Sequence, residues 1–472
     1  MIVRNRLLVG AAVGVVGGAL AALLTWPEYG WLAHLLISAL LGAFFGLVFG
    51  SRLHSAGSAL IWGQAFGLLW WLLGPLTFLP LFYGEGILWS VPAIRANYAL
   101  LPANVIIFGA ILGLGSFFLS RLLPILPPVE KRGFKAPDFI PPWKQAVIVG
   151  GIGGLFGAWI FLRGVETADF FPIVAGIIGM DSYMAGAFLH YTIGMIIAIT
   201  FALLFYRDIR GVGPAMIYGM SYGIQWWFIG PQTLLPILTG APIEWSLETA
   251  SANYAPLLAH VLYGAMIGFF FAVVNTVWRK LFIDSDPLRR TREGGGTTGI
   301  RGILMGVAGG LLGGLLFTFV LVGIGALPAV ANLVGSQSSA TGLLVHLTIS
   351  VIIGITYGLF FQRVGYSYGA GIGWGVLYGL LWWVIGAMTL FAFLLRQPID
   401  WSLAAAAANY AALIGHLLYG LGLGLFFQFL ARRYDAELRQ FAGRSFHSAA
   451  PAMWAAALLF GVMLPLLLIQ SP

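Results

Sequence analysis

Long apolar blocks separated by short polar breaks dominate the chain. In its middle third the blocks cover about 145–163, 185–206, 212–238 and 252–281. Most of them reach the roughly 20 residues that an α-helix needs to cross a bilayer. They are too long for strands, and an open sheet edge would strand backbone groups in lipid, so each block predicts a helix. The same set of four precedes, at about 8–25, 32–50, 57–82 and 96–120, and follows, at about 301–326, 341–362, 368–395 and 404–431. A thirteenth block covers about 450–469.

The three sets are copies of one unit. His34, His190 and His346 stand 156 residues apart, as do Trp70, Trp226 and Trp382, and Asn97, Asn253 and Asn409. A fixed period of this kind marks repeat architecture. The expected units are 1–121, 144–282 and 300–431, joined by linkers 122–143 and 283–299 and followed by 432–472 with the last block. Proline in the first linker and glycine in the second suit connectors.

Composition agrees with a membrane protein and excludes a soluble enzyme. Hydrophobic residues make up 60% of the 472 and charged residues only 8%, against about 25% charged in a soluble domain. With no cysteine, disulfides, thiolate metal sites and a cysteine nucleophile are out. The net charge of +8 sits in short loops and forms no basic domain, so nucleic acid is not an expected partner. With a cytoplasmic N-terminus, 21 of the 24 Lys and Arg fall on the cytoplasmic side, leaving only Arg95, Arg163 and Arg396 outside. This is a positive-inside pattern. Arg4 and Arg6 before an apolar core resemble a signal peptide, but the block fills the first-helix place of copy one and is expected to be retained.

Four spans per copy give all copies the same orientation, and parallel repeats are related by an axis along the membrane normal. The expected fold is therefore an all-α polytopic membrane protein of about 13 transmembrane helices. Three parallel four-helix repeats, as a pseudo-threefold bundle or a curved row, precede one C-terminal helix, which puts the C-terminus outside.

Glycines at four-residue spacing, such as Gly10, Gly14 and Gly18 or Gly264 and Gly268, predict close helix contacts. Gly74-Pro75 and Gly230-Pro231 predict a break in each third helix, while Gly386-Ala387 predicts a straighter one in copy three. Trp89, Trp245 and Trp401 read as an interfacial belt.

Candidate chemistry lies in a polar layer. His190 with His260, and His346 with His416, form two equivalent pairs, whereas copy one has only His34, because an extra residue enters between Asn97 and Gly109. Asn97, Asn253, Asn409, Tyr263 and Tyr419 complete the layer. Ionisable groups within a membrane are candidates for proton or solute contact. Two facing neutral imidazoles would also suit a b-type haem, although no cofactor is predicted, and no metal site or enzymatic motif is found. Glu244, Asp400, Arg95 and Arg396 form a candidate outer entrance.

The segments H190YTIGMII, G219MSYGIQWWFIGPQTLLP and E244WSLETASANYAPLLAH260 resemble the YagU-like family of bacterial inner-membrane proteins. The resemblance implies a triplicated inner-membrane four-helix unit and no mechanism. The function expected is translocation of a small solute, ion or proton through the His/Asn layer. The alternatives are a scaffold or accessory subunit of a membrane complex and a haem-binding redox subunit. The expected partners are lipid, a small solute or ion, and subunits of such a complex.

Overall fold

The computed structural model describes residues 2–25, 30–123, 142–165, 170–209, 211–282, 295–362 and 367–434. Copy one contains α1 (Ile2–Thr25), α2 (Trp31–Phe49), α3 (Ala56–Leu73) and α4 (Ala110–Leu122). Copy two contains α5 (Pro142–Val165), α6 (Tyr183–Phe205), α7 (Val212–Ile229) and α8 (Tyr254–Phe282). Copy three contains α9 (Gly295–Gly323), α10 (Ser339–Phe360), α11 (Tyr368–Trp382) and α12 (Tyr410–Tyr434). The second linker is shorter than expected, because α9 already begins at Gly295. The block at 450–469 and most of the first linker lie outside the described residues.

The protein is an all-α polytopic membrane protein. Eleven helices among the described residues are long and apolar enough to cross a membrane. The helix holding α7 is not among them, and it carries Ser221, Gln225 and, beyond α7, Gln232.

Within each copy the second helix packs on the first, the first on the fourth and the fourth on the third. Glycine makes the close approaches. A Cβ on Gly14 would lie 2.9 Å from the Gly42 Cα, and one on Gly264 would run into the Gly219 carbonyl. With no side chain between them, the backbones touch and gain dispersion contacts that lipid cannot match.

Between copies, α3 packs on α6, and α7 packs on both α10 and α11. Phe205 fills the space beside Gly57, and Phe361 fills that beside Gly213. Gly369 is the equivalent position in copy three, and no heavy atom of the described residues lies within 4 Å of the Cβ it would carry. The copies thus follow one another as a row, with the same junction made twice among the described residues.

Each third helix widens to π geometry, at Gly74–Phe78, Gly230–Leu234 and Trp383–Leu390. Copy three, expected to be straighter, therefore carries the same interruption, and proline is not the common cause. A threonine is common to all three. Thr77, Thr233 and Thr389 donate to the carbonyls five residues back, Leu72, Phe228 and Val384, at 2.9, 2.7 and 2.8 Å. That bond satisfies a carbonyl in the widened turn, where the α ladder is interrupted.

The same threonines accept from Trp89, Trp245 and Trp401 at 3.0, 3.0 and 3.1 Å. Trp245 and Trp401 are buried and only Trp89 is exposed, so these indoles pin the outer loops to the third helices rather than form a lipid-facing belt. In copy one a π segment at Ala103–Gly109 absorbs the extra residue between Asn97 and Gly109 and restores the glycine register.

Candidate functional site

The histidines that open the second helices are tied to the first helices. The Nε2–H groups of His34, His190 and His346 donate to the carbonyls of Gly18, Ala158 and Gly314, each at 3.0 Å. The fourth-helix histidines bond locally, His260 Nδ1–H to Pro256 O and His416 Nδ1–H to Ala412 O, both at 2.7 Å.

The structure brings each pair together around a phenylalanine on the first helix. Phe161 lies 5.6 Å from the ring of His190 and 4.8 Å from that of His260. Phe317 lies 5.0 Å from His346 and 4.7 Å from His416. In copy one Ala21 holds the corresponding place, three residues after Gly18, and the second histidine is absent. A phenyl ring lies against both imidazoles of each pair, where the macrocycle of a bis-histidine haem would have to sit, so the pairs do not fit one. Among the described residues no group of three or more His, Asp or Glu is placed to hold a metal.

The asparagines and tyrosines are also engaged. The Nδ2 groups of Asn97, Asn253 and Asn409 donate to the carbonyls four residues back, each at 2.9 Å. Their own carbonyls accept from Trp71, Trp227 and Trp383 at 3.1, 2.7 and 3.2 Å. Tyr263 and Tyr419 donate to the carbonyls of Gly194 and Ser350. The layer found by its repetition thus fastens the helices of each copy to one another.

The outer candidates separate into two places. Arg95, Tyr98, Glu244, Trp245 and Glu248 line one cavity of about 460 Å³ between copies one and two. Asp400 and Arg396 lie apart from it, in copy three. Asp400 accepts from the backbone N–H of Ser402 at 2.8 Å, which holds its carboxyl below the usual carboxylate value. The cavity has both charge signs, so it is not a ring of carboxylates.

Sequence reasoning missed a polar column, made by contacts across the same junction and by buried polar side chains on the third helix of copy two. Near one end Ser55 Oγ lies 2.8 and 2.7 Å from the two carboxylate oxygens of Asp208. In the interior Gln64 Nε2 donates to Gln225 Oε1 at 3.0 Å, and both side chains are buried. Ser221 Oγ, Gln225 Nε2 and both amide atoms of Gln232 are buried without a hydrogen-bond partner among the described residues. So is the phenol of Tyr98, which lines the outer cavity and whose ionisation burial pushes up. Thr233, beside Gln232, is bonded to Trp245 of the same cavity.

The amides of this column have no counterpart in the sister copies, although the buried phenol of Tyr98 recurs as Tyr254. Where copy one has Gln64, copies two and three have Met220 and Val376; where copy two has Ser221, Gln225 and Gln232, copy three has Leu377, Leu381 and Met388. Leu377, Leu381 and Met388 are buried as well, so this fold can fill these places with apolar side chains.

Most buried polar groups in proteins have a partner, and unpartnered ones ask for an explanation. The column offers neutral donors and acceptors, with charged groups near its ends. No protein-family model, curated protein or solved structure matches the chain, so the functional reading rests on this geometry.

Proposed function

We propose that this integral membrane protein translocates a small polar solute along the junction of copies one and two. One observation carries the reading: Gln232, 1% exposed, has no partner among the described residues for either amide atom, and it replaces the apolar Leu76 and Met388 of the sister copies. A buried amide without a partner costs free energy, and a passing solute or water supplies what the protein does not. Neutral groups in the interior favour a neutral hydrogen-bonding solute over a bare ion. The pocket of Arg95, Glu244 and Glu248 is the mouth. The sorting of Lys and Arg supports a bacterial inner membrane with the N-terminus inside, as does the resemblance to the YagU-like unit.

Stopped-flow light scattering on proteoliposomes tests this. Water, urea and glycerol gradients should collapse faster than in protein-free vesicles, and equal rates would overturn the reading. A second reading, a scaffold or accessory subunit, draws on the structural engagement of every histidine and asparagine of the layer.

A further inference from the structure

Two internal junctions use one device. Phe205, near the C-terminal end of α6, stacks on Tyr218 of its own copy at 5.2 Å and also packs against Tyr222. Its ring then closes on Gly57 of the preceding copy, where a Cβ would lie 2.5 Å from it and 2.8 Å from the Leu204 carbonyl. The second junction repeats this, with Phe361 at 5.9 Å from Trp374 and at 5.5 Å from Tyr378, closing on Gly213 of copy two. Phe205 and Phe361 are 0% and 2% exposed.

Copies one and three each carry one half of the device. In copy one, Phe49 stands at the Phe205 position and is already set against its own Trp62 at 4.7 Å and Phe66 at 6.2 Å. It is only partly buried, and among the described residues no third helix closes over it as α3 closes over Phe205. In copy three, Gly369 stands at the Gly57 position with no described residue within 4 Å of the Cβ it would carry. Both lie where a second helix gives way to a third, so they sit at the same end of the bundle.

We infer that the Gly369 face of copy three receives Phe49 and α2 from copy one of a second molecule, so that the row continues from chain to chain. The occupant is argued from the two junctions inside the chain. They show which helix fits this face, which side chain enters beside the glycine, and that the partner ring is held ready by its own copy. The contact is heterologous: the two molecules use different surfaces, and such contacts build rings or open rows rather than two-fold dimers. A glycine at the contact lets backbones approach closely, which is what drives helix association in lipid. This inference is independent of what passes through the protein.

The chain has no cysteine, so crosslinking reads the geometry directly. In native membranes, a Phe49→Cys, Gly369→Cys chain should give an oxidant-dependent ladder of dimers and higher multiples, which neither single variant gives. The Gly57→Cys, Phe205→Cys chain is the internal standard and should lose both alkylation sites without a ladder. If the standard crosslinks and the 49/369 pair does not, the inference is overturned. It is equally overturned if Gly369→Cys couples within one chain to Ala457→Cys, which would make the chain's own C-terminal segment the occupant. As a second readout, Gly369→Trp should fill the open face without clashing inside the monomer. Subunit counting by photobleaching should then fall to one per particle at an unchanged melting temperature, and an unchanged count would count against the contact.

Discussion

Gln64 donates its side-chain amide to Gln225 Oε1 at 3.0 Å across the first junction, whereas the second junction has Met220 and Leu381 in the same two places, both fully buried. The same fold thus solves one packing problem in two ways. An apolar pair would suffice for cohesion. A pair of amides orders the interior of the first junction only, and leaves Gln225 Nε2 with a proton to donate.

Replacing one amide should cost more than replacing both. Gln225→Leu leaves the buried Gln64 amide without its acceptor, at a cost of about 1–3 kcal/mol, and Gln64→Met does the converse. The double variant reproduces the second junction and should return to within about 0.5 kcal/mol of the parent on the same grounds, because no polar group is stranded. A double-mutant cycle by reversible unfolding in detergent or bicelles checks this; additive losses would mean that the two amides do not act as a pair.

The histidine pairs should behave as structure. His260→Ala removes the bond to Pro256 O and the ring against Phe161, with a loss of about 1–3 kcal/mol from the combined cavity and hydrogen-bond terms. Solute flux per folded molecule should stay at the parent level across pH 5 to 8. A titrating change in flux for the parent that disappears in His260→Ala would assign the ring a proton-handling role instead.

Acid sensitivity outside the membrane should trace in part to Asp400. Its folded carboxyl titrates below the ordinary 3.8 because the Ser402 N–H bonds the charged form. A group depressed in the folded state stabilises above its unfolded value, and that contribution is lost as pH falls below about 4 toward the folded value. Asp400 is exposed, so the effect is small. Asp400→Asn should narrow the difference between melting temperatures at pH 6 and pH 3, and an identical pH dependence in both proteins would remove Asp400 from the account.

The helices were legible because lipid imposes long apolar runs on the chain. The wide turn of copy three was not, since proline drew attention in the other two copies while the responsible threonine is an ordinary residue in a membrane helix. The short helices Phe170–Gly176 and Leu327–Ala331, which pack on α6 and α10, were missed because neither is long or apolar enough to stand out. The histidines were paired from the repeat, but sequence carries no azimuth, and only the structure places Phe161 between His190 and His260. The polar column was missed for the opposite reason. Attention to what recurs passes over Gln64, Ser221, Gln225 and Gln232, which break the repeat. Polar residues standing where sister copies have Leu, Met or Val were the available signal.

The central claim is that solute passes between copies one and two, and the most direct measurement is stopped-flow flux through proteoliposomes carrying the Gln64→Met, Gln225→Leu, Gln232→Leu chain beside the parent. The account predicts parent permeability to water or a small neutral solute well above that of protein-free vesicles, and a variant at least tenfold lower while equally folded and inserted. A parent indistinguishable from protein-free vesicles, or a variant as permeable as the parent, would contradict it.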